Sequence, residues 1–272
     1  MVRDVGFIGL GNIGLPMARR LASSGSFRVT VCGHRRREPL ETMAAAGARV
    51  ASNPRQAAEA AQVFISMVRD QPQTEQALFG EGGAWEALGP GTVLVLSSTL
   101  SPDFCQELEQ RGKARGIAVL DAPVSGMAKG AEAGNLTFFV GGDREVMEKC
   151  RPLFEAMGKN IFHLGGVGTG QVAKLSNNLL LFAAIHATGE VIRMAEKAGL
   201  GWPELLRTIQ VSTGNCWTIQ NWEYLGVVNR DPANVFDLAY KDLEAALGFA
   251  RRHGLRLPLA GLMTQLDMPP FP

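Results

Sequence analysis

The sequence predicts an α/β chain: a Rossmann-like, doubly wound parallel sheet followed by an all-α second part. Three observations predict it. Short apolar, β-branched runs alternate with helical patterns as far as about residue 165. A glycine-rich turn follows the first of these runs, and strand patterning stops at a second glycine-rich turn, Gly165-Gly166-Val167-Gly168-Thr169-Gly170. The 272 residues are 46% hydrophobic and 19% charged, enough for one large domain or two smaller ones, each with a core. The expected organisation is a first domain over residues 1–165 and a helical second domain over 166–272, opening with a long helix.

Taken in order, Val5–Ile8, Arg28–Val31, Val63–Met67, Thr92–Ser97, Ala118–Leu120 and Thr137–Val140 read as strands. Most are unbroken apolar runs, as strands covered on both faces tend to be. Between them, Asn53-Pro54 and Ser101-Pro102 each place a capping side chain ahead of a proline at the first helical position. The second glycine turn leads into a helix expected from Gln171 to Gly199, with further helices around Trp202–Gln210 and Phe236–His253. The chain ends with three prolines in its last four residues, which cannot continue a helix, so packing is expected to be lost there.

A net charge of +1 points away from nucleic acid and anionic membranes. The best membrane candidate, Leu179 to Ala187, contains His186 and falls far short of the ~20 residues a span requires. The first apolar run breaks into glycines before it could form the ~7–15-residue core of a signal peptide. Cys32, Cys105, Cys150 and Cys216 are scattered, with no CxxC and no histidine at metal-ligand spacing. They read as reduced thiols in a cytoplasmic protein without a metal site.

The first strand ends in Gly9-Leu10-Gly11-Asn12-Ile13-Gly14, and a helical pattern begins at once. A G-x-G-x-x-G run gains meaning from this strand–turn–helix setting. The first glycine permits the turn, the second lets backbone approach a pyrophosphate, and the third allows close packing of helix on strand. Free N–H groups and the positive end of the helix dipole then hold the phosphates. All six residues of the run are therefore candidate dinucleotide contacts. Roughly 20 residues on, an acid usually takes the ribose hydroxyls of NAD. Here Gly33 stands at that place, followed by His34-Arg35-Arg36-Arg37. A carboxylate would repel a 2′-phosphate, whereas guanidinium binds it bidentately. NADP is the expected cofactor, with NAD the second choice, and His34 and Arg35 are candidates for holding it.

Three more segments matter: Asp121-Ala122-Pro123-Val124-Ser125-Gly126, the run from Gly168 through Gln171 and Lys174 to Asn178, and Tyr240-Lys241-Asp242-Leu243. With the glycine loop, in this order and spacing, they resemble the β-hydroxyacid dehydrogenase family. That family includes 3-hydroxyisobutyrate dehydrogenase and tartronate semialdehyde reductase and is related to 6-phosphogluconate dehydrogenase. The resemblance covers the chain to about residue 260. It implies a Rossmann-like domain, a helical domain and an active site in the cleft between them. It also implies Lys174 as the catalytic lysine, Asn178 as a substrate-binding residue, and Ser125 and Gly126 as the loop for the substrate carboxylate. Thr99 and Lys241 are similar to positions that contact the cofactor, and Met67 is placed with them. A small 3-hydroxy acid or its semialdehyde is the implied substrate, and a homodimer or homotetramer the implied assembly.

The chemistry asks for the same residue types. Lys174 and Asn178 lie four apart on one expected helix, so they face the same way. Hydride transfer to a carbonyl leaves an alkoxide that needs a proton, and the reverse reaction must remove one. A lysine, with a reference pKa of ~10.4, serves as a base near neutrality only where burial or positive charge depresses it. An asparagine can hold the hydroxyl without adding a competing charge.

Two departures from the family pattern stand out. Met127 replaces the second glycine after Ser-Gly and adds bulk beside the carboxylate loop. Leu181 stands where decarboxylating relatives carry a glutamate, which favours simple reversible oxidation. Ser212-Thr213-Gly214-Asn215-Cys216-Trp217 is similar to a stretch in 3-hydroxyisobutyrate dehydrogenases and hints at a short branched substrate. Two readings compete with a dehydrogenase: an inactive dinucleotide-binding relative serving as a protein-interaction module, and an imine reductase. Both are expected to lack the lysine that is present here.

Overall fold

Side chains alternate across a strand, so an unbroken apolar run feeds two cores at once. The computed structural model, which describes residues 2–33, 36–229 and 237–271, shows this in its first part. Nine strands form one sheet: β1 (Asp4–Ile8), β2 (Arg28–Cys32), β3 (Arg49–Ala51), β4 (Val63–Ser66), β5 (Val93–Leu96), β6 (Ala118–Asp121), β7 (Val124–Ser125), β8 (Leu136–Gly141) and β9 (Gly158–Gly165). Val5, Phe7, Val63, Ile65, Val93 and Val95 enter the core on one face. Ile8, Phe64, Leu94 and Leu96 enter the core on the other.

The sheet runs β3-β2-β1-β4-β5-β6-β8-β7, with β9 on β8. From β3 to β6 every pairing is parallel. The winding reverses between β1 and β4, the place in an open α/β sheet where ligands bind beyond the carboxyl ends of the strands. The doubly wound parallel sheet is thus as expected, and it gains an antiparallel step at its far edge, where β8 runs against β6 and β7. Residues 126–135 between β7 and β8 are fewer than the dozen or so a parallel crossover requires. β3 and β7 were too short to show in the pattern, and β9 alternates exposed with half-buried residues rather than forming an apolar run.

Among the described residues seven α-helices and a 3₁₀ turn (Trp85–Ala87) connect these strands: α1 (Gly14–Ser23), α2 (Glu38–Ala45), α3 (Pro54–Ala58), α4 (Gln71–Phe79), α5 (Pro102–Lys113), α6 (Met127–Ala133) and α7 (Arg144–Met157). Asn53 caps α3 as its sequence predicts, accepting the Gln56 N–H at 2.9 Å. Ser101 precedes Pro102 in the expected place, but its side chain makes no capping bond to α5. Pro102 at the first position needs no partner for a missing N–H, so the helix can start without that cap.

The chain divides into two units, one ending at Lys174 and one beginning at Leu175. α8 (Thr169–Lys197), of 29 residues, starts two residues before the expected Gln171. Its first six residues belong to the sheet unit. The second unit continues with α9 (Trp202–Gln210), α10 (Trp217–Gln220), α11 (Trp222–Asn229), α12 (Asp237–Arg252) and α13 (Pro258–Met263). No strand occurs among its described residues. After α13 the chain is irregular, as the prolines require, but it is not loose. The Tyr240 hydroxyl donates to Leu266 O at 2.6 Å, the Phe271 ring lies 4.7 Å from that of Trp222, and Pro269 is buried beside Gly189. The expected loss of packing is thus corrected.

Among the described residues no helix is long and apolar enough to cross a membrane, and no group of His, Cys, Asp or Glu could hold a metal ion. All four cysteines are free.

Candidate active site

At the switch point, the loop 9–14 joins β1 to α1. Gly9 has φ +92°, and a Cβ there would lie 2.0 Å from the Met67 carbonyl oxygen. Only glycine lets this loop lie against the end of β4. A Cβ on Gly14 would come 1.9 Å from Gly9 O, whereas one on Gly11 would meet nothing within 4 Å. The middle glycine therefore faces open space, as a pyrophosphate site requires. No side chain caps the start of α1. Leu10 is buried, Ile13 packs against the core, and Asn12 is exposed. Met67 is half-buried, and its N–H donates to Ile8 O at 2.9 Å, which ties it to the loop. Next to it, the buried hydroxyls of Ser66 and Ser97, at the ends of β4 and β5, have no hydrogen-bond partner. These residues fit a dinucleotide held by backbone N–H groups and strand-end hydroxyls.

His34 and Arg35 lie outside the described residues. Gly33 just before them is half-buried, and a Cβ there would lie 2.8 Å from Leu40 Cδ2 and 2.9 Å from its Cγ. Arg36 and Arg37 are exposed.

The half-buried Lys174 lies in the second turn of α8. Two residues that sequence reasoning did not single out hold this end of the helix. Asp121, fully buried at the end of β6, accepts the Gly168 N–H on Oδ1 and the Gln171 N–H on Oδ2, both at 2.7 Å. Burial pushes its carboxyl up to about 6, against the pull of backbone N–H groups from Gly168, Gln171 and Gly170. Glycine at 141 and 170 makes room for it, since a Cβ would sit 2.3 Å and 2.7 Å from its oxygens. The fully buried Gln171 accepts the Leu100 N–H on Oε1 and donates through Nε2 to Ser98 O, each at 2.9 Å. Its amide thereby straddles the half-buried Thr99.

The carboxylate-loop candidates sit at the β7–α6 corner, where Ser125 is half-buried and Gly126 is exposed with φ +134°. Met127 follows at φ +56°, the one non-glycine residue with positive φ among those described.

In the second unit, Asn178 is buried and its Nδ2 donates to Asp242 Oδ2 at 2.7 Å. Its Oδ1 accepts from Asn177 Nδ2 at 3.1 Å. Lys241 Nζ lies 2.6 Å from the other Asp242 oxygen. Asp242 thus joins two of the expected site residues, Asn178 and Lys241, and fixes the asparagine's orientation. Asp121, Gln171 and Asp242 all stand within the quoted motifs, but bonds across 50 to 73 positions leave no local mark by which to assign their roles.

A sheet wound about a glycine-rich loop of this geometry, with a lysine-bearing helix anchored at its carboxyl end, defines a dinucleotide-binding protein of the Rossmann type. Comparison with known proteins gives its family. Residues 4–165 match the model for the NAD-binding domain of 6-phosphogluconate dehydrogenase, and residues 168–267 match that for the NAD-binding domain of NADP-dependent 3-hydroxyisobutyrate dehydrogenase. The chain belongs to the β-hydroxyacid dehydrogenase family. It is 37% identical to the NAD-dependent L-serine dehydrogenase of Pseudomonas aeruginosa, over 97% of this chain and 91% of that one. It is 38% identical to the 2-hydroxy-3-oxopropionate reductase of Escherichia coli, over 93% and 86%. The solved structure of Mycobacterium tuberculosis 3-hydroxyisobutyrate dehydrogenase with L-serine superposes with a TM-score of 0.85 at 31% identity, covering 100% of this chain and 96% of that one.

Proposed function

We propose that this member of the family interconverts a small 3-hydroxy acid and its semialdehyde, without decarboxylation, and prefers NADP(H) to NAD(H). Nicotinamide, when bound, supplies or accepts the hydride. Lys174 holds or takes the proton at the substrate hydroxyl oxygen, and Asn178 orients that hydroxyl. The Ser125-Gly126 corner binds the carboxylate. Gly9, Leu10, Gly11, Asn12, Ile13, Gly14, Met67, Thr99, His34, Arg35 and Lys241 serve the cofactor. Leu181 has no proton to give, so the reading stops at oxidation. Our functional boundary between dinucleotide-binding and helical parts is residues 165/166, where strand patterning stops, ahead of the division in contacts after Lys174.

One observation carries the assignment: Lys174 is half-buried on a helix whose first turn is locked to the sheet by two fully buried polar side chains. A surface lysine would need no such anchorage. Support for NADP is the glycine at position 33, where Leu40 takes the space a larger residue would need. The relatives include an NAD-dependent enzyme, so the preference is this chain's own property to test. Exposed Leu180, Met194 and Val227 on the helical part are surface that a homodimer or homotetramer would cover, and four free cysteines suit the cytoplasm.

The test is a panel of short 2- and 3-hydroxy acids and their aldehydes, followed by nicotinamide absorbance with each cofactor. Turnover of a 3-hydroxy acid, with higher kcat/KM for NADP(H), is expected. Lys174→Ala should lose ~10²–10⁴-fold in kcat while dinucleotide affinity holds. A Lys174→Ala enzyme within a few-fold of wild type would remove the mechanism.

A further inference from the structure

The locks at the start of α8 converge on one residue. Gln171 is held through its main chain, by Asp121, and through its side chain, by the loop 98–100. Lys174 follows three residues later, on the same side of the helix and about 4.5 Å along its axis. A displacement of Gln171 is therefore a displacement of Lys174. The loop on the other side of the clamp carries Thr99, the proposed cofactor contact, and Gln171 bonds to the residues before and after it. Two elements with different tasks, one for the proton and one for the cofactor, are thus bonded to each other through the Gln171 amide.

We propose that Gln171 and Asp121 are positioning residues for proton transfer, setting the register of Lys174 against the loop that carries Thr99. The proposal rests on the reading of Lys174 given above. A purely structural role would ask less of the sequence. An asparagine or serine cap starts a helix without burying a carboxyl, whereas a buried carboxyl needs partners on both oxygens, as Asp121 has here. Here the fold keeps a fully buried aspartate and two glycines that make room for it, all at the end of the helix that bears the proton-transfer group. Catalysis explains that arrangement, because a displacement of about 1 Å in a reacting group costs on the order of 10²-fold in rate.

The experiment compares wild type with Gln171→Met, Gln171→Glu, Asp121→Asn and Lys174→Ala, using 3-hydroxyisobutyrate as the probe. Gln171→Met keeps the length of the side chain but leaves Leu100 N–H and Ser98 O unpaired. Gln171→Glu keeps the acceptor for Leu100 but sets a buried carboxyl against Ser98 O, to which only its protonated form can donate. The readouts are kcat, KM, dinucleotide Kd and the primary deuterium isotope effect on kcat with substrate labelled at the carbinol carbon. Gln171→Met should lose roughly 10–100-fold in kcat, with dinucleotide Kd within about twofold of wild type and a raised isotope effect as the chemical step becomes limiting. Gln171→Glu and Asp121→Asn should fall between it and wild type. Should Gln171→Met fail to fold, the last two variants decide the matter by the same pattern. Variants that lower thermal stability while kcat and the isotope effect stay at wild-type values would overturn the proposal. So would a loss of dinucleotide affinity that accounts for the whole loss of rate. If Lys174→Ala collapses turnover and the Gln171 variants do not, only this inference fails. If Lys174→Ala is active, the reading of the site fails first.

Discussion

Met127 occupies the left-handed region at φ +56°, which an L side chain enters at a cost of roughly 1–2 kcal/mol. The backbone here has a geometry that suits glycine, yet it carries a large side chain. Replacing it with glycine relieves the strain but returns roughly 0.4–1 kcal/mol of conformational freedom to the unfolded chain. Met127→Gly should therefore be about 0.5–1 kcal/mol more stable by chemical denaturation, and should accept larger hydroxy acids. A less stable variant with an unchanged substrate profile would show that the side chain contributes packing rather than selectivity. Gly33 poses a different problem. An aspartate there would favour the ribose hydroxyls of NAD, but its Cβ would meet Leu40 Cδ2 and Cγ within 3.0 Å. Gly33→Asp alone should weaken both cofactors. Gly33→Asp with Leu40→Ala should raise the NAD(H)/NADP(H) ratio of kcat/KM. If the single substitution switches preference as well as the double, Leu40 yields freely and the coupling is absent.

At the scale of elements, α8 sets the terms. It starts in the sheet unit, bonded to Asp121 and the loop 98–100, and continues through the helical unit, where Asn178 binds Asp242 of α12. Gly189 lies deep in this helix, where glycine costs about 1 kcal/mol relative to alanine. Its reason is Pro269, whose Cβ would lie 2.3 Å from a Cβ at 189. Gly189→Ala should lower the midpoint of thermal unfolding despite its better helix propensity, since overpacking costs typically 1–3 kcal/mol. In a Pro269→Gly background the same alanine should stabilise. If the sign does not reverse, the prolyl contact is not what holds glycine there.

On the scale of the whole molecule, most of the sheet could be read from the sequence. Runs such as Val5–Ile8 and Val63–Ile65 are free of polar side chains, as strands covered on both faces tend to be. What escaped were β3, β7 and β9. Two are too short to form a pattern, and the third is an edge strand whose pairing with β8 is a tertiary fact. The glycine loop was legible because φ and close approach permit almost nothing else. The tail was misread, because prolines announce the end of a helix but say nothing of whether Phe271 finds Trp222.

The sequence by itself determined the succession of elements, the phosphate loop, the helix that carries Lys174 and Asn178, and the family pattern around them. These rest on local rules of periodicity, backbone freedom and side-chain chemistry within a few residues. Only the tertiary structure decided what holds them. Asp121 became a buried helix anchor, Gln171 a clamp across Thr99, Asp242 a bridge between Asn178 and Lys241, and Leu40 the obstacle at Gly33. Each depends on which distant backbone groups or side chains come within hydrogen-bonding or van der Waals distance, and sequence spacing carries no record of that until the chain has packed.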